Sequence, residues 1–145
     1  MAVERTASAE WQGGLLGGAG TVSTQSGAVR DATIKWSSRA EAADENTSPE
    51  ELIAAAHAAC VSMALAHGLA QAGKPPQRIE SQATSTFDQV GDGFRMTKMH
   101  LRIRGTVDGL DDDSFRKAAE DAKDNCPVSQ ALSDDVEVTV EAALA

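Results

Sequence analysis

The sequence contains no tyrosine, only two cysteines, and an aromatic content of 3%. So few aromatic side chains argue against base-stacking platforms for single-stranded nucleic acid and against aromatic sugar-binding clefts. Basic residues are also scarce, because 13 lysines and arginines stand against 22 aspartates and glutamates, for a formal charge of −9. A surface this acidic repels phosphate backbones and anionic lipid, so we expect neither nucleic acid nor a membrane as a partner.

The N-terminal residues also lack the features of a secretory signal. Residues 1–10 are mixed and polar and contain no apolar run with a small-residue cleavage site, so we expect a cytoplasmic protein. The longest apolar stretch, residues 52–72, consists mainly of alanine and carries His57 and His67. Alanine is a weak membrane former, so this stretch predicts a buried helix and not a membrane span.

The length and composition of the chain are those of one globular domain. The chain has 145 residues, of which 41% are hydrophobic and 24% charged. Two independent cores would leave each half near the lower limit for stable folding, so we predict a single domain spanning residues 1–145.

The first third of the chain has the pattern of β-structure, and a long helix follows it. Strands are predicted at residues 8–11, 20–24 and 33–36, and residues 37–46 are expected to form a polar connection. Thr47 and Ser48 then precede Pro49, and good helix formers continue to Ala72, before Gly73. A capping hydroxyl, an early proline and a terminal glycine predict a helix roughly 36 Å long. Because it is apolar almost all round, we expect it to be buried inside something larger than one small sheet.

The remaining half predicts a hairpin, two helices and a last strand. Residues 78–87 and 94–108 alternate like strands and are joined by the Gly91-Asp92-Gly93 turn. Helices are predicted at residues 114–124 and from Cys126 to Leu132, with a strand at residues 136–140. This order is neither a βαβ series nor a repeat, so the predicted class is α+β.

Cys60 and Cys126 are candidate reactive groups because a cytoplasmic cysteine pair is more often catalytic or buried than a permanent disulfide. Cys60 falls in the middle of the long helix, so it is either a small buried hydrophobe or a thiolate that needs a nearby cation. Cys126 precedes Pro127 at a predicted helix start, where amides and the helix dipole favour negative charge and a good leaving group. The alternative interpretation is that Cys126 is a helix cap residue without a chemical role.

Other candidate residues have simpler interpretations. His57 precedes Cys60 by one helical turn and could act as a base or a metal ligand. Two cysteines and three histidines without a Cys-x-x-Cys motif support a zinc site only weakly, so we predict no metal and no cofactor. Met63, Leu65 and Leu69 are expected in the core, and Asp111 to Asp113 are expected to start a helix.

Two cysteine motifs resemble those of the OsmC/Ohr hydroperoxide reductases. The run from Ser48 through Ala-Ala-His57-Ala-Ala-Cys60 to Leu65 is similar to the peroxidatic segment, and Asn125-Cys126-Pro127-Val-Ser-Gln130 is similar to the second motif. Residues 20–27 and 38–39 resemble the N-terminal part of the OsmC branch. The sequence departs from the family pattern at residues 46–50, where Asn-Thr-Ser-Pro-Glu replaces Gly-Thr-Asn-Pro-Glu, and at Val61, where phenylalanine is common.

The resemblance implies a thiol peroxidase for organic hydroperoxides. In that family pattern Cys60 is oxidised to a sulfenic acid, Cys126 attacks it to form a disulfide, and a dithiol such as a protein-bound lipoyl group reduces the disulfide. Arg39 matches the arginine that stabilises the thiolate, and Glu50 matches the carboxylate that pairs with that arginine. The implied fold has antiparallel sheets around a long central helix in an intertwined homodimer.

The spacing of Glu50 and Cys60 agrees with a dimer. Ten helical residues span roughly 15 Å, so the two side chains cannot meet through their own helix. If they act together, Glu50 comes from a partner chain, and we expect an obligate homodimer. The alternative function is a non-catalytic redox sensor or binding protein that uses the same cysteine pair, a role that does not require Arg39 and Glu50.

Overall fold

The computed structural model describes all 145 residues and divides them into two compact units, Met1–Pro49 and Glu50–Ala145. Unit 1 contains a three-stranded antiparallel sheet in the order β1-β2-β3, with β1 at Ala7–Gln12, β2 at Ala19–Thr24 and β3 at Ala32–Ile34. The three predicted strands are therefore confirmed, although the third ends two residues early.

The segment predicted as a connection contains a helix. Helix α1, Trp36–Ala40, begins at the residue expected to end the third strand. Within α1, the Ser38 hydroxyl donates to the Asp44 carboxylate at 2.9 Å, and after the helix Asp44 also accepts the Asn46 backbone amide at 2.9 Å. These short polar side chains satisfy the backbone locally, a role that a polar sequence pattern does not distinguish from a mobile loop.

Helix α2, Pro49–Gln71, belongs to unit 2 from Glu50 onward and matches the predicted long helix. Its first turn holds two acids near the positive end of the helix dipole. At its other end the Lys74 amide donates to the Leu69 carbonyl at 2.8 Å, and the Gly73 amide donates to the Ala70 carbonyl at 3.0 Å. This is a Schellman ending, and Gly73 supplies the positive φ of 75° that it requires.

One stripe of α2 is buried and the opposite face is exposed. The buried positions recur every three or four residues: Glu50, Ala54, His57, Val61, Leu65 and Leu69. Leu65 and Leu69 are in the core as predicted, but Met63 is 68% exposed, because its position falls on the face opposite the stripe. By length and composition alone α2 could cross a membrane, a test that core helices of soluble proteins also pass.

The second sheet contains strands β4 (Arg78–Val90), β5 (Gly93–Thr106) and β6 (Glu137–Leu144), in that order. Strands β4 and β5 form the predicted antiparallel hairpin, whereas β6 pairs with β5 in parallel. A parallel pair needs a crossover connection, and helices α3 (Asp112–Asn125) and α4 (Pro127–Ala131) supply it. The predicted α+β class, with small sheets and a long helix, is confirmed.

The core of unit 2 lies on one face of this sheet. Alternate residues of β5 are buried with the α2 stripe and with Phe115 of α3: Met99, Leu101 and Ile103. Phe115 lies directly on Gly105, where even an added Cβ would collide with its ring. Asp111 caps α3 by accepting the Ser114 amide at 2.8 Å, so the acidic run starts a helix as predicted. The core thus fixes α2 and α3 on the same sheet.

Candidate active site

The fold brings the two cysteines together although 66 positions separate them in the sequence. Cys60 lies in the middle of α2 and is partly exposed, while Cys126 is fully buried at the start of α4. Both are free thiols, and their Sγ atoms are in contact at 2.9 Å. The arrangement therefore pairs an accessible thiol with a second thiol in direct contact behind it.

Cys126 reaches this position because it joins two helices without an intervening loop. It follows the last residue of α3, and Pro127 occupies the first turn of α4, where its missing N–H costs nothing. The Gln130 amide closes the turn on the Cys126 carbonyl at 3.0 Å. Cys126 is the N-cap of α4, as predicted, but its side chain caps no amide and contacts Cys60 instead.

The surroundings of Cys60 favour the neutral thiol. Burial raises the pKa of Cys60, and the contact with Cys126 raises it further. A hydrogen bond from the Val128 backbone amide, in the first turn of α4, opposes the shift by stabilising the thiolate. Because burial outweighs the amide, a reactive Cys60 needs a further positive charge near its sulfur.

His57, considered above as a base or metal ligand, is engaged with α4. Its ring is completely buried, and Nε2 lies 2.7 Å from the Ser129 hydroxyl. Nδ1 is buried without a hydrogen-bond partner. Burial also lowers the pKa of His57, so the ring is neutral near pH 7. No group of three or more histidine, cysteine, aspartate and glutamate side chains is arranged to hold a metal ion.

Glu50 and Arg39, the other predicted site residues, lie elsewhere in the chain. Glu50 is 7% exposed in the first turn of α2, so ten residues, roughly 15 Å of helix, separate it from Cys60. Arg39 is half-buried in the last turn of α1, which belongs to unit 1. Within unit 2, the structure brings Cys60 and Cys126 together and leaves Glu50 apart from them.

A groove of about 710 Å³ lies between the second half of α2 and one face of α3, and neither cysteine lines it. Ala64, one turn after Cys60, and Asn125, next to Cys126, form part of its lining. Its walls are the second half of α2 and one face of α3, and they are mostly apolar: Ala64, Gly68, Leu69, Leu110, Ala118 and Ala122. Lys74, Lys117 and Asp121 bring charges of both signs to this groove, which has the size of a small-molecule site.

Sequence reasoning missed two contributions to this site. The Val128 amide and the Ser129 hydroxyl both come from the single turn after Cys126. Every residue except proline has a backbone amide, so the residue type at position 128 does not reveal this contact. The other contact has a signal, since Ser129 follows Cys126 by three residues and His57 precedes Cys60 by three. These two one-turn spacings are the signal that could have connected the histidine with the serine.

Comparisons with known proteins identify the family of the chain. The family model described as "OsmC-like protein" matches residues 42–141. The chain is 40% identical to Peroxiredoxin OsmC of Escherichia coli strain K12 over 141 residues, which cover 97% of this chain and 96% of that protein.

Two solved structures have the same fold. The organic hydroperoxide resistance protein OsmC from Legionella pneumophila has a TM-score of 0.76 at 22% identity, over 99% of each chain. OhrB of Bacillus subtilis has a TM-score of 0.68 at 28% identity, over 94% of this chain and 97% of that one. The predicted family resemblance is confirmed, and the chain belongs to the OsmC family.

Proposed function

We propose that the protein is a cysteine-based peroxidase that reduces organic hydroperoxides to alcohols. The observation that carries this proposal is the 2.9 Å contact between two free thiols, one partly exposed and one buried behind it. Relatives named as a peroxiredoxin and as a hydroperoxide resistance protein support peroxide reduction as the activity.

In the proposed reaction Cys60 attacks first. Its thiolate forms a bond to the terminal oxygen of the hydroperoxide, the O–O bond breaks, and the leaving alkoxide takes a proton to become the alcohol. The Cys126 thiolate then attacks the Cys60 sulfenic acid, forming the Cys60–Cys126 disulfide and releasing hydroxide, which is protonated to water. An external dithiol, of the lipoyl type, reduces the disulfide and is itself oxidised to a disulfide.

We assign the activation of Cys60 to Arg39 and Glu50. The raised pKa of Cys60 calls for a cation, and a guanidinium remains charged at every physiological pH. Glu50 is the carboxylate that would hold this arginine in place. These roles follow from the match to the family motif.

The homodimer is part of the same proposal. The face of α2 opposite its buried stripe carries the exposed His67 and otherwise consists mainly of small or apolar residues: Ala55, Ala56, Ala59, Met63 and Ala70. Such a face allows two copies of the helix to approach closely, and antiparallel packing would bring Glu50 of one chain toward Cys60 of the other. We further propose that each chain forms one OsmC-like domain and that the protein acts in the cytoplasm.

The activity is tested by turnover of cumene hydroperoxide with dihydrolipoamide in the parent, Cys60→Ser and Cys126→Ser proteins. We expect Cys60→Ser to abolish peroxide consumption. We expect Cys126→Ser to lose rapid turnover and, when dihydrolipoamide is left out, to consume one equivalent and stop at the sulfenic acid, because no second protein thiol attacks it. Ser62→Ala, a partly buried position on the same helix, serves as the control and should leave turnover unchanged.

One result would favour the redox sensor instead. If a disulfide forms with peroxide but no dithiol supports turnover, the pair acts as a switch, a role that does not require Arg39 and Glu50. If Cys60 forms neither sulfenic acid nor disulfide, both functions are wrong.

Mixing two inactive variants tests which chain supplies Glu50. Cys60→Ser and Glu50→Gln homodimers should each be inactive or slow. After exchange of chains, a heterodimer contains one site with an intact Cys60 and the Glu50 of its partner chain. Activity should recover to roughly a quarter of the parent value, since half of the dimers would carry one working site of two. No recovery, with exchange verified by mass spectrometry, would assign Glu50 to its own chain.

A further inference from the structure

Helix α4 contacts α2 at two adjacent turns. Cys126 and the Val128 amide are engaged with Cys60, and Ser129 is engaged with His57, one turn earlier on α2. All the α4 partners come from four consecutive residues, 126–129. The five-residue helix has too few internal hydrogen bonds to be stable alone, so its position depends on these contacts and on the packing of Val128.

Of the two contacts between α2 and α4, the one between His57 and Ser129 is unchanged by the proposed reaction. The Cys60–Cys126 contact changes chemically during the proposed reaction, because Cys60 becomes a sulfenic acid and then part of a disulfide. The hydrogen bond between His57 and Ser129 involves no reacting atom. It is short, at 2.7 Å, and is fully buried on the histidine side.

The unpartnered Nδ1 defines which atom of His57 carries the proton. A neutral imidazole has one N–H, and a buried N–H without an acceptor is costlier than a bare lone pair. The proton therefore belongs on Nε2, which donates to the Ser129 hydroxyl, while Nδ1 keeps its lone pair in the core. Burial, which lowers the pKa of His57, preserves this neutral form.

We propose that His57 is a positioning residue that holds α4 in place through Ser129, and so sets the rate at which Cys126 attacks the Cys60 sulfenic acid. This inference rests on the proposed peroxidase function. His57 touches neither sulfur in this role. Its effect should fall on disulfide formation, because an error of about 1 Å in the approach of two reacting groups costs up to two orders of magnitude in rate.

The test separates the two steps after a single equivalent of cumene hydroperoxide. Cys60 oxidation is followed as peroxide consumption, and disulfide formation is followed as the disappearance of sulfenic acid that dimedone can trap. In His57→Ala and Ser129→Ala we expect disulfide formation to slow by about tenfold or more. Cys60 oxidation should slow by a smaller factor, because a displaced α4 takes with it only the Val128 amide that stabilises the Cys60 thiolate.

Conservative variants and a double variant distinguish positioning from loss of structure. His57→Gln keeps an N–H donor near the Nε2 position and Ser129→Thr keeps the hydroxyl, so both should restore most of the rate of disulfide formation. The double variant His57→Ala with Ser129→Ala should be no slower than the slower single variant. Ser62→Ala removes a 2.7 Å serine hydrogen bond to Ser81 that does not involve α4, and should change neither step.

The proposal is wrong if both steps slow together in proportion to a fall in melting temperature, if neither step changes, or if Gln and Thr fail to restore the rate. If Cys60 of the parent protein forms no sulfenic acid at all, the peroxidase function fails, and this inference fails with it. That outcome is recognised in the parent protein alone, before any variant is compared.

Discussion

Complete burial gives His57 a measurable effect on stability. Its pKa is lowered from the usual 6.5 because burial disfavours the charged ring. The unfolded chain therefore binds a proton at a higher pH than the folded protein does. As a result, the free energy of unfolding is greatest above about pH 6.5 and decreases as the pH falls below it.

We predict that replacing His57 by glutamine reduces this pH dependence. Between about pH 6.5 and the lower pKa of the folded protein, one such histidine contributes a slope of up to about 1.4 kcal/mol per pH unit. Urea denaturation of both proteins between pH 8 and about pH 5 measures the slope. Equal slopes in the parent and in His57→Gln would mean that folding does not lower the pKa of His57.

Two carboxylates affect stability in a separate pH range. Hydrogen bonds lower the pKa of Asp44, chiefly from the Asn46 amide, and that of Asp111, chiefly from the Ser114 amide. Because these values lie below the usual 3.8, their stabilisation is lost only as the pH falls through the acid range. They therefore do not interfere with the measurement on His57.

At the scale of secondary-structure elements, α3 is held on the sheet by the contact between Phe115 and Gly105. We predict that Gly105→Ala destabilises the protein by about 1–3 kcal/mol, since the added methyl group overpacks the site. Gly93→Ala, at the other end of β5, is the control, because no atom lies within 4 Å of its Cβ position. Thermal unfolding compares the two variants.

A compensating change identifies the cause of this loss. Adding Phe115→Leu to Gly105→Ala should recover part of the stability, because the shorter side chain leaves room for the methyl group. If the second change adds its full cost to the first, steric overlap with Phe115 is not the reason for the loss.

Local signals predicted some elements well and others poorly. Pro49 and Gly73 bound α2, and Gly91 to Gly93 form the hairpin turn, because start, stop and turn residues act within a few positions. Helix α1 was missed because side chains such as Ser38 and Asp44 organise it through contacts outside the helix itself. The parallel pairing of β6 was missed because alternation identifies a strand and its buried face but not its neighbour.

For the molecule as a whole, the proposed disulfide would close a loop of 66 positions. In the chain-entropy model such a link stabilises the folded state by roughly 4 kcal/mol, by restricting the unfolded chain. We predict a higher melting temperature after treatment with hydroperoxide than after treatment with dihydrolipoamide. Cys126→Ser should melt at the same temperature in both conditions, and an equal increase in that variant would exclude the disulfide as the cause.

The active site was only partly predictable from the sequence, because some of its contacts join helices that are distant in the chain. Cys60 and Cys126 were identified by motifs, and their contact is present within one chain. The Val128 amide and the bond from His57 to Ser129 depend on how α4 docks on α2, which a sequence does not encode locally. The roles of Arg39 and Glu50 remain predictions, since the proposed site requires two chains.

The junction between α3 and α4 also determines where the chain tolerates changes in length. Asn125 ends one helix and Pro127 begins the next, so no loop residue separates Cys126 from either helix. Residues 132–136, between α4 and β6, form a connection that belongs to no helix or strand. An insertion there would be absorbed by a surface loop, whereas one beside Cys126 would rotate the thiol away from Cys60. Evolution and protein engineering therefore have freedom of length after α4 but not at the junction between α3 and α4.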